Sequence, residues 1–271
     1  MFLASVLVQV SAVFAFSSGC WQDKYIEREE IAKGNYGTIF KWQEIATGKL
    51  FACKENNSQT NTIQREFEIM KELKTKYVLK PICAENEYFL LPFLSQGTLR
   101  QARTFSEERK RILAAHILTA VREIHSEGIF IADLKTDNIL LDGNSIKFID
   151  FGLARRKDEN IFHSGSKRYM APEMHDCLFN ESCTASFHSD WFSAGVVIWE
   201  MYVDLEDVPG EDWSPLGPPY NAYASTELKD LVKMLVKLPR NFDHSFDELK
   251  KLNYFKDTLA VLENRRVRFI G

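Results

Sequence analysis

The sequence predicts an α+β protein of two lobes: a small lobe built on a five-stranded antiparallel sheet with one helix, then a larger, mainly helical lobe. Three observations carry that expectation. Short runs rich in β-branched and aromatic residues, separated by turn residues, fill Tyr25 to Leu91. One amphipathic helical pattern interrupts them. Beyond Pro92 the apolar residues recur at helical spacing, broken by a hairpin with acidic residues on both flanks.

Tyr25 to Ala32 reads as a strand, Gly34-Asn35-Tyr36-Gly37 as a turn, and Thr38 to Ile45 as a second strand. Thr47-Gly48 turns the chain into a third, Leu50 to Lys54. Two glycines in a strand–turn–strand let backbone N–H groups approach phosphate oxygens, although the same residues also make an ordinary hairpin turn. Lys54 ends an otherwise apolar strand, where an unpaired ammonium would be costly to bury. The next helix, Thr62 to Leu73, offers a partner. Ile63, Phe67, Met70 and Leu73 form its apolar stripe, Glu66 borders that stripe, and Glu68 and Glu72 face water. Val78 to Ala84 and Glu87 to Leu91 complete the sheet. Pro92 lacks an N–H and ends the last strand, which suits a linker between lobes.

In the second half, Ser106 is a favourable N-cap ahead of Glu107 and Glu108. Ile112, Leu113, His116, Ile117, Ala120, Val121 and Ile124 share one stripe, with Gly128 as the residue that ends the helix. His116 on that stripe reads as a satisfied core histidine. Leu153 to Glu173 is a polar loop, of a length that in compact domains usually serves function. Asp190 to Val203 reads as a buried helix, Pro209 to Pro219 as irregular, and Glu227 to Leu238 and Phe246 to Leu252 as closing helices.

The chemistry concentrates in IADLKTDNILLDGNSIKFIDFG, Ile131 to Gly152. Asn138 to Leu141 and Ile146 to Ile149 are apolar runs joined by Asp142-Gly143-Asn144, which reads as a hairpin. Asp133 and Asn138 precede it and Asp150 follows it. Carboxylate oxygens plus an amide suit Mg²⁺, and Mg²⁺ in turn suits a nucleotide phosphate. A surface hairpin with solvated acids is the plainer alternative.

Composition is that of an ordinary globular protein, with 45% hydrophobic and 27% charged residues. A net charge of −4 argues against non-specific binding to nucleic acid or acidic membranes. The five cysteines are an odd, scattered set without metal-ligand spacing, so a disulfide framework is not expected and a reducing compartment fits better. Cys53 reads as a small core residue, and Cys177 and Cys183 lie close enough to pair if oxidised. Residues 1–22 stand apart as an apolar extension. Met1 to Phe16 is nearly uncharged, and Ser17, Ser18 and Gly19 follow where a signal peptide would be cleaved. No Lys or Arg precedes the run, so an extension packed on the domain is the other reading. Asn56-Asn57-Ser58 and Asn180-Glu181-Ser182 match the glycosylation triplet.

Taken together the motifs resemble the protein kinase family from about Tyr25 to Phe255. IAKGNYGTI, Ile31 to Ile39, is similar to the Gly-rich loop; FACK ends on the strand lysine, Lys54; and Glu66 matches its helix partner. IADLKTDN resembles the catalytic loop, Asp150-Phe151-Gly152 the DFG motif, Ala171-Pro172-Glu173 the APE motif, and DWFSAG the start of the large buried helix. The resemblance implies a bilobal kinase domain over residues 23–271, with the small lobe over about 23–91 and the large lobe over about 95–271. It implies ATP and Mg²⁺ as cofactors. Lys54, positioned by Glu66, would hold the α- and β-phosphates, and Asn138 and Asp150 would hold Mg²⁺. Asp133 would accept the substrate hydroxyl's proton, and Lys135 would meet the γ-phosphate. Ile31, Ala32, Gly34 and Gly37 belong to the covering loop. Ile39, Ala52 and Leu140 would sandwich adenine, with Leu91 behind it and Pro92 and Leu94 as the linker that hydrogen-bonds it.

Lys135 and GSKRYMAPE favour a serine/threonine protein kinase acting on protein hydroxyls; a pseudokinase that binds nucleotide or a partner is the alternative. Several positions depart from the family pattern. Ile131-Ala132 replaces the usual His-Arg. Ile131 fills the space beside Phe151 and Met70, but Ala132 cannot bind a phosphate, so activity is expected without activation-loop phosphorylation. Ala32 stands for the first glycine, and Ser166 for a threonine that contacts Asp133 and Lys135. Arg240 is a candidate partner for Glu173, and Asp137 a hint of preference for a basic substrate residue. Because Mg·ATP is abundant in reducing compartments, a cytoplasmic location is expected, or a secretory or membrane-anchored one if residues 1–20 act as a signal.

Overall fold

The structure is a computed structural model. It describes residues 20, 24–34, 37–56, 62–85, 87–157, 159, 165–177, 187–203, 224–237, 248–249, 251–256 and 258. Residues 1–19, the triplet at Asn180, Cys183, the segment 209–219 and Arg240 lie outside the described residues.

The small lobe is one antiparallel sheet. β1 (Tyr25–Gly34), β2 (Gly37–Glu44), β3 (Leu50–Glu55), β4 (Cys83–Ala84) and β5 (Tyr88–Pro92) lie in the order β1-β2-β3-β5-β4. Gly48 supplies the left-handed residue of the β2–β3 turn, with φ of 73°. β3 is central, pairing Phe40 with Cys53 on one side and Cys53 with Leu90 on the other. Its side chains alternate across the sheet. Cys53 joins Trp42, Tyr88 and Leu90 on the outer face, and burial pushes its thiol pKa up. Lys54 goes to the opposite face, toward the helix α1 (Thr62–Glu72), whose Ile63, Phe67, Met70 and Leu73 are all buried as its spacing predicts.

Two expectations change here. The strand predicted over Val78 to Ala84 shortens to Cys83–Ala84. Pro81 interrupts it with no N–H to pair. The residues before it serve the large lobe instead: Leu79 N donates to Phe148 O at 3.0 Å and Phe148 N to Tyr77 O at 2.7 Å. Second, the cysteines are not all reduced. Cys20 and Cys83 form a disulfide, with Cα atoms 5.7 Å apart, across a sequence separation of 63 residues. Tyr88 OH also donates to Cys20 O, so Cys20 is fastened onto the outer face of the sheet.

The large lobe is assembled around α2 (Glu107–Ser126). Ser106 caps it by accepting from Arg109 N, and Gly128 follows it at φ of 77°. β6 (Ile129–Phe130) pairs with β9 (Arg155–Arg156), and β7 (Ile139–Asp142) with β8 (Ser145–Phe148) in the predicted hairpin. α3 (Pro172–Cys177), α4 (Phe187–Glu200) and α5 (Thr226–Val236) follow. α4 is buried from His188 through Glu200 except at half-buried Phe192, and begins three residues before its predicted start at Asp190. The added turn has partners: Phe187 stacks on His125 at 4.5 Å between ring centroids, and His188 meets Glu173. Of the helix predicted over Phe246 to Leu252, residues 248–249 are helical, and a short 3₁₀ turn follows at Asn253–Phe255. Among the described residues no helix is long and apolar enough to cross a membrane.

Candidate functional site

A cleft of about 670 Å³ separates the sheet from the large lobe. Lys54 reaches into it from β3 and is 6% exposed. Its Nζ lies 2.7 Å from both carboxylate oxygens of Glu66 and 3.1 Å from Asp150 Oδ1. Glu66, on the buried side of α1, also accepts from Phe151 N at 3.2 Å. An ammonium and two acids from three separate elements therefore share one point. Burial works against the Lys54 charge, but Glu66 and Asp150 outweigh it and hold its pKa above the ordinary value. Burial likewise opposes the Asp150 carboxylate, yet Lys54 and Gly152 N–H keep its pKa below the usual range.

The opposite wall is the segment 131–138. Asp133 Oδ1 accepts from Ser166 N at 3.0 Å, while Oδ2 accepts from Lys135 Nζ at 2.6 Å and Asn138 Nδ2 at 3.2 Å. Lys135 Nζ also donates to Ser166 Oγ at 3.1 Å. The backbone beneath is anchored by Asp190 of α4, which accepts from Ile131 N at 2.8 Å and Ala132 N at 3.1 Å. His125 Nε2 shares the same carboxylate at 2.8 Å. That anchoring holds Ala132 at φ of 69°, a conformation that strains a residue with a Cβ. Ile131, Phe151 and Met70 are fully buried in one continuous core, as the apolar replacement at Ile131 predicts.

The remaining predicted residues line the same cleft. Ile31, Ala32, Ile39, Ala52, Leu91 and Pro92 contribute from the sheet, Leu94 from the linker that follows β5, and Leu140 from the hairpin. Gly34 and Gly37 line it too, but for different reasons. A Cβ on Gly37 would come 2.4 Å from Glu55 O, so β2 could not lie this close to β3 with any other residue there. A Cβ on Gly34 would meet nothing nearer than 3.9 Å. The fold itself therefore demands glycine at 37 and leaves 34 to the occupant of the cleft. Leu79, Ile149 and Thr98 also line the cleft and were not singled out from the sequence. Leu79 and Ile149 read only as apolar strand residues, and Thr98 carried no signal.

A protein kinase domain profile matches residues 25–255. The chain belongs to the protein kinase family. It is 28% identical over 262 residues to a cAMP-dependent protein kinase, catalytic subunit-like, of Caenorhabditis elegans, covering 89% of this chain and 59% of that protein. It is 31% identical over 241 residues to the serine/threonine-protein kinase RUNKEL of Arabidopsis thaliana, covering 80% and 17%. It is 29% identical over 284 residues to protein kinase C delta type of Homo sapiens, covering 93% and 41%. The chain thus spans less than two thirds of the length of these relatives.

The segment after Gly152 of this kinase domain is fastened at both ends. Near its start Arg65 of α1 pairs with Glu159, which also accepts from Arg156 N at 3.0 Å, and Arg156 pairs with Glu72 of α1 at 2.7 Å. Near its end Tyr169 OH donates to Glu200 at 2.6 Å, and Ser193 Oγ to Tyr169 O at 2.6 Å. Glu173 meets His188 Nδ1 at 2.7 Å, a partner the sequence did not suggest. His116 is satisfied as expected, with Nδ1 2.9 Å from Tyr77 OH, but it is half-buried rather than part of the core.

Proposed function

We propose that this domain transfers the γ-phosphate of Mg·ATP to serine or threonine hydroxyls of proteins, and that it does so without phosphorylation of its own activation segment. The observation that carries the reading is the convergence of Lys54, Glu66 and Asp150 opposite Asp133 across a single cleft. Phosphoryl transfer requires alignment and charge neutralisation more than covalent work from the protein.

The donor set fits the cofactor. Asn138 Nδ2 is spent on Asp133 O at 2.9 Å and on its carboxylate, which leaves the Asn138 carbonyl oxygen as an acceptor. With Asp150 it makes one carboxylate and one amide oxygen, a set that suits Mg²⁺ completed by phosphates and water rather than an all-protein cage. The bound metal would supply charge neutralisation on the transferring phosphoryl group. Lys54, kept cationic and oriented by Glu66, holds the α- and β-phosphates. Lys135 holds charge at the γ-phosphate. Asp133, oriented by Ser166 N and Lys135, accepts the hydrogen bond of the acceptor hydroxyl and takes its proton. Ile39, Ala52 and Leu140 form the apolar slot for the base, with Leu91 behind and the backbone of Pro92 and Leu94 as its hydrogen-bonding edge, where Pro92 can only accept.

Independence from phosphorylation rests on Ala132, which cannot bind a phosphate, and on Glu159. A carboxylate already sits between the activation segment and Arg65, where a phosphate would otherwise be needed to join them. The serine/threonine preference is supported by Lys135 and the Gly165–Glu173 segment packed beside it. For location, the Cys20–Cys83 bridge favours the secretory alternative over the cytoplasmic one, since disulfides persist in oxidising compartments. Mass spectrometry of the purified native protein with and without reductant tests that bridge.

The test of activity is transfer from Mg·[γ-³²P]ATP to protein substrates by phosphatase-treated enzyme, with Asp133→Ala as control. Treated wild type should turn over, and Asp133→Ala should lose about 10²–10⁴-fold, the usual contribution of a positioned base. Nucleotide-dependent thermal stabilisation without turnover would support the pseudokinase alternative instead. Turnover that appears only after the activation segment is phosphorylated would refute the claimed independence.

A further inference from the structure

Asp137 lies four residues beyond Asp133 in the same segment and lines the same cleft. A peptide whose hydroxyl reaches Asp133 runs on at about 3.3–3.6 Å per residue, so its neighbouring side chains pass over Asp137. An exposed carboxylate there would read a basic side chain. In this fold the carboxylate is already taken. Arg100, on the 3₁₀ turn Leu99–Thr104, donates Nε to Asp137 Oδ1 at 2.9 Å and Nη2 to Oδ2 at 2.6 Å. This is the two-pronged geometry by which a guanidinium satisfies both oxygens of a carboxylate.

A second acid stands behind the first. Glu200, the last residue of α4, has a side chain only 6% exposed, and its Oε1 lies 3.8 Å from Arg100 Nη1. Its other oxygen accepts from Thr136 Oγ1 at 2.8 Å and Tyr169 OH at 2.6 Å. Asp137, which lines the cleft, and Glu200 buried behind it thus form an acidic pair, and one guanidinium from the same chain spans both. Buried Leu99 beside it holds the turn in place, so Arg100 is delivered as part of the fold. An intramolecular group at such a site acts at an effective concentration of order millimolar or higher, which a dilute peptide guanidinium must outcompete.

We propose that Arg100 is a specificity residue that fills the acidic subsite at Asp137 and Glu200 from within the chain, so that acceptor proteins need no Lys or Arg beside the modified residue. The proposal rests on the protein-substrate reading above and reverses the preference that Asp137 suggests from the sequence alone. Removing the guanidinium would expose the acidic pair to substrate and create selectivity for basic peptides. Arg100 binds Asp137 and Glu200, neither of which has an assigned role in phosphoryl transfer.

The experiment compares two fluorescent peptides with the same central serine, one flanked by arginines and one by alanines. Both are run against wild type, Arg100→Ala, Arg100→Gln and Arg100→Ala/Asp137→Ala. Direct binding is read by anisotropy at low salt, and kcat/KM with Mg·ATP is read separately. Wild type should treat the peptides alike within about twofold. The two single variants should favour the basic peptide by about three- to fivefold, which corresponds to about 0.6–1 kcal/mol, the upper end for a partly exposed ion pair. The double variant should return toward parity. A wild type that already favours the basic peptide fivefold, single variants with unchanged ratios, or peptides that bind no variant would each overturn the proposal. The binding ratio does not require catalysis, so absent turnover with the expected binding ratios would sink the kinase reading and leave the Arg100 assignment standing.

Discussion

The two walls of the cleft hold their functional groups by different means. On the small-lobe side Lys54 is positioned by side chains alone, through Glu66 on α1 and Asp150 on the facing lobe. On the large-lobe side the segment around Asp133 is pinned through its own backbone, with Ile131 N and Ala132 N held by Asp190 and Asn138 Nδ2 reaching Asp133 O. A shift of α1 breaks mainly side-chain ion pairs, of Glu66, Arg65 and Glu72, together with one bond to Phe151 N, whereas a shift of the catalytic segment orphans Ile131 N, Ala132 N and Asp133 O at once. The large-lobe wall is therefore pre-formed, and the small-lobe wall is the one whose arrangement can vary.

The largest expected effect breaks the pre-formed wall. Asp190→Ala removes the acceptor of two backbone N–H groups and of His125, and should cost about 3–5 kcal/mol of unfolding free energy. Urea titration measures it, and a loss below about 1 kcal/mol would mean that the segment is not anchored this way.

Elsewhere in the large lobe, α2 answers to acid. Burial, with Lys76 adding to it, pushes the His116 pKa down to about 4. The unfolded chain takes up that proton near pH 6.5, so between these values the unfolded state binds more protons and stability falls as pH drops. By linkage wild type should lose about 2 kcal/mol at pH 5 relative to pH 8 through this group, and His116→Gln should lack that part of the slope. Melts of both proteins across pH 4–8 compare them; parallel curves would remove His116 from the account.

Two glycines sharpen the contrast within the small-lobe wall. Gly37→Ala forces a Cβ against Glu55 O and should cost about 1–3 kcal/mol by overpacking, with or without nucleotide. Gly34→Ala should leave the melting temperature of the free protein nearly unchanged and raise KM for ATP severalfold. Equal destabilisation by both would erase the distinction.

The smallest effect concerns the variable wall. Glu159→Gln removes the charge facing Arg65 on a partly exposed pair worth about 0.2–1 kcal/mol, so turnover should fall by a few-fold at low salt. At 0.5 M NaCl, where screening acts over a few Å, variant and wild type should converge. A loss that persists at high salt would point to packing rather than charge.

Much of this arrangement is legible in the residues because it is written locally. Lys54 at the end of an apolar strand and Glu66 at the edge of a helical stripe each advertise a buried charge that needs a partner. The hairpin between Asp133 and Asp150 brings its acids together over a short span of chain. The Cys20–Cys83 bridge, the Glu173–His188 pair and the Arg100–Asp137 clasp have no such signature. Each joins residues on separate elements, and no periodicity relates them. The strand predicted through Val78 failed for a related reason: its apolar residues satisfy a pairing with Phe148 as well as one within the sheet.

From residue order alone came the identity of the charged groups, the elements that carry them and the lobe to which each belongs, because strand and helix periods and turn chemistry act over a few residues. The Lys54–Glu66 pairing is foreseen in this way, whereas the partners of Asp137, Glu159 and Glu173 were decided only when the elements packed. Asp137 reads from the sequence as an invitation to a basic substrate, and the fold closes it with Arg100. The physical reason is that a buried or half-buried charge takes the nearest geometrically suitable partner, and nearness across 37 residues of chain exists only in three dimensions.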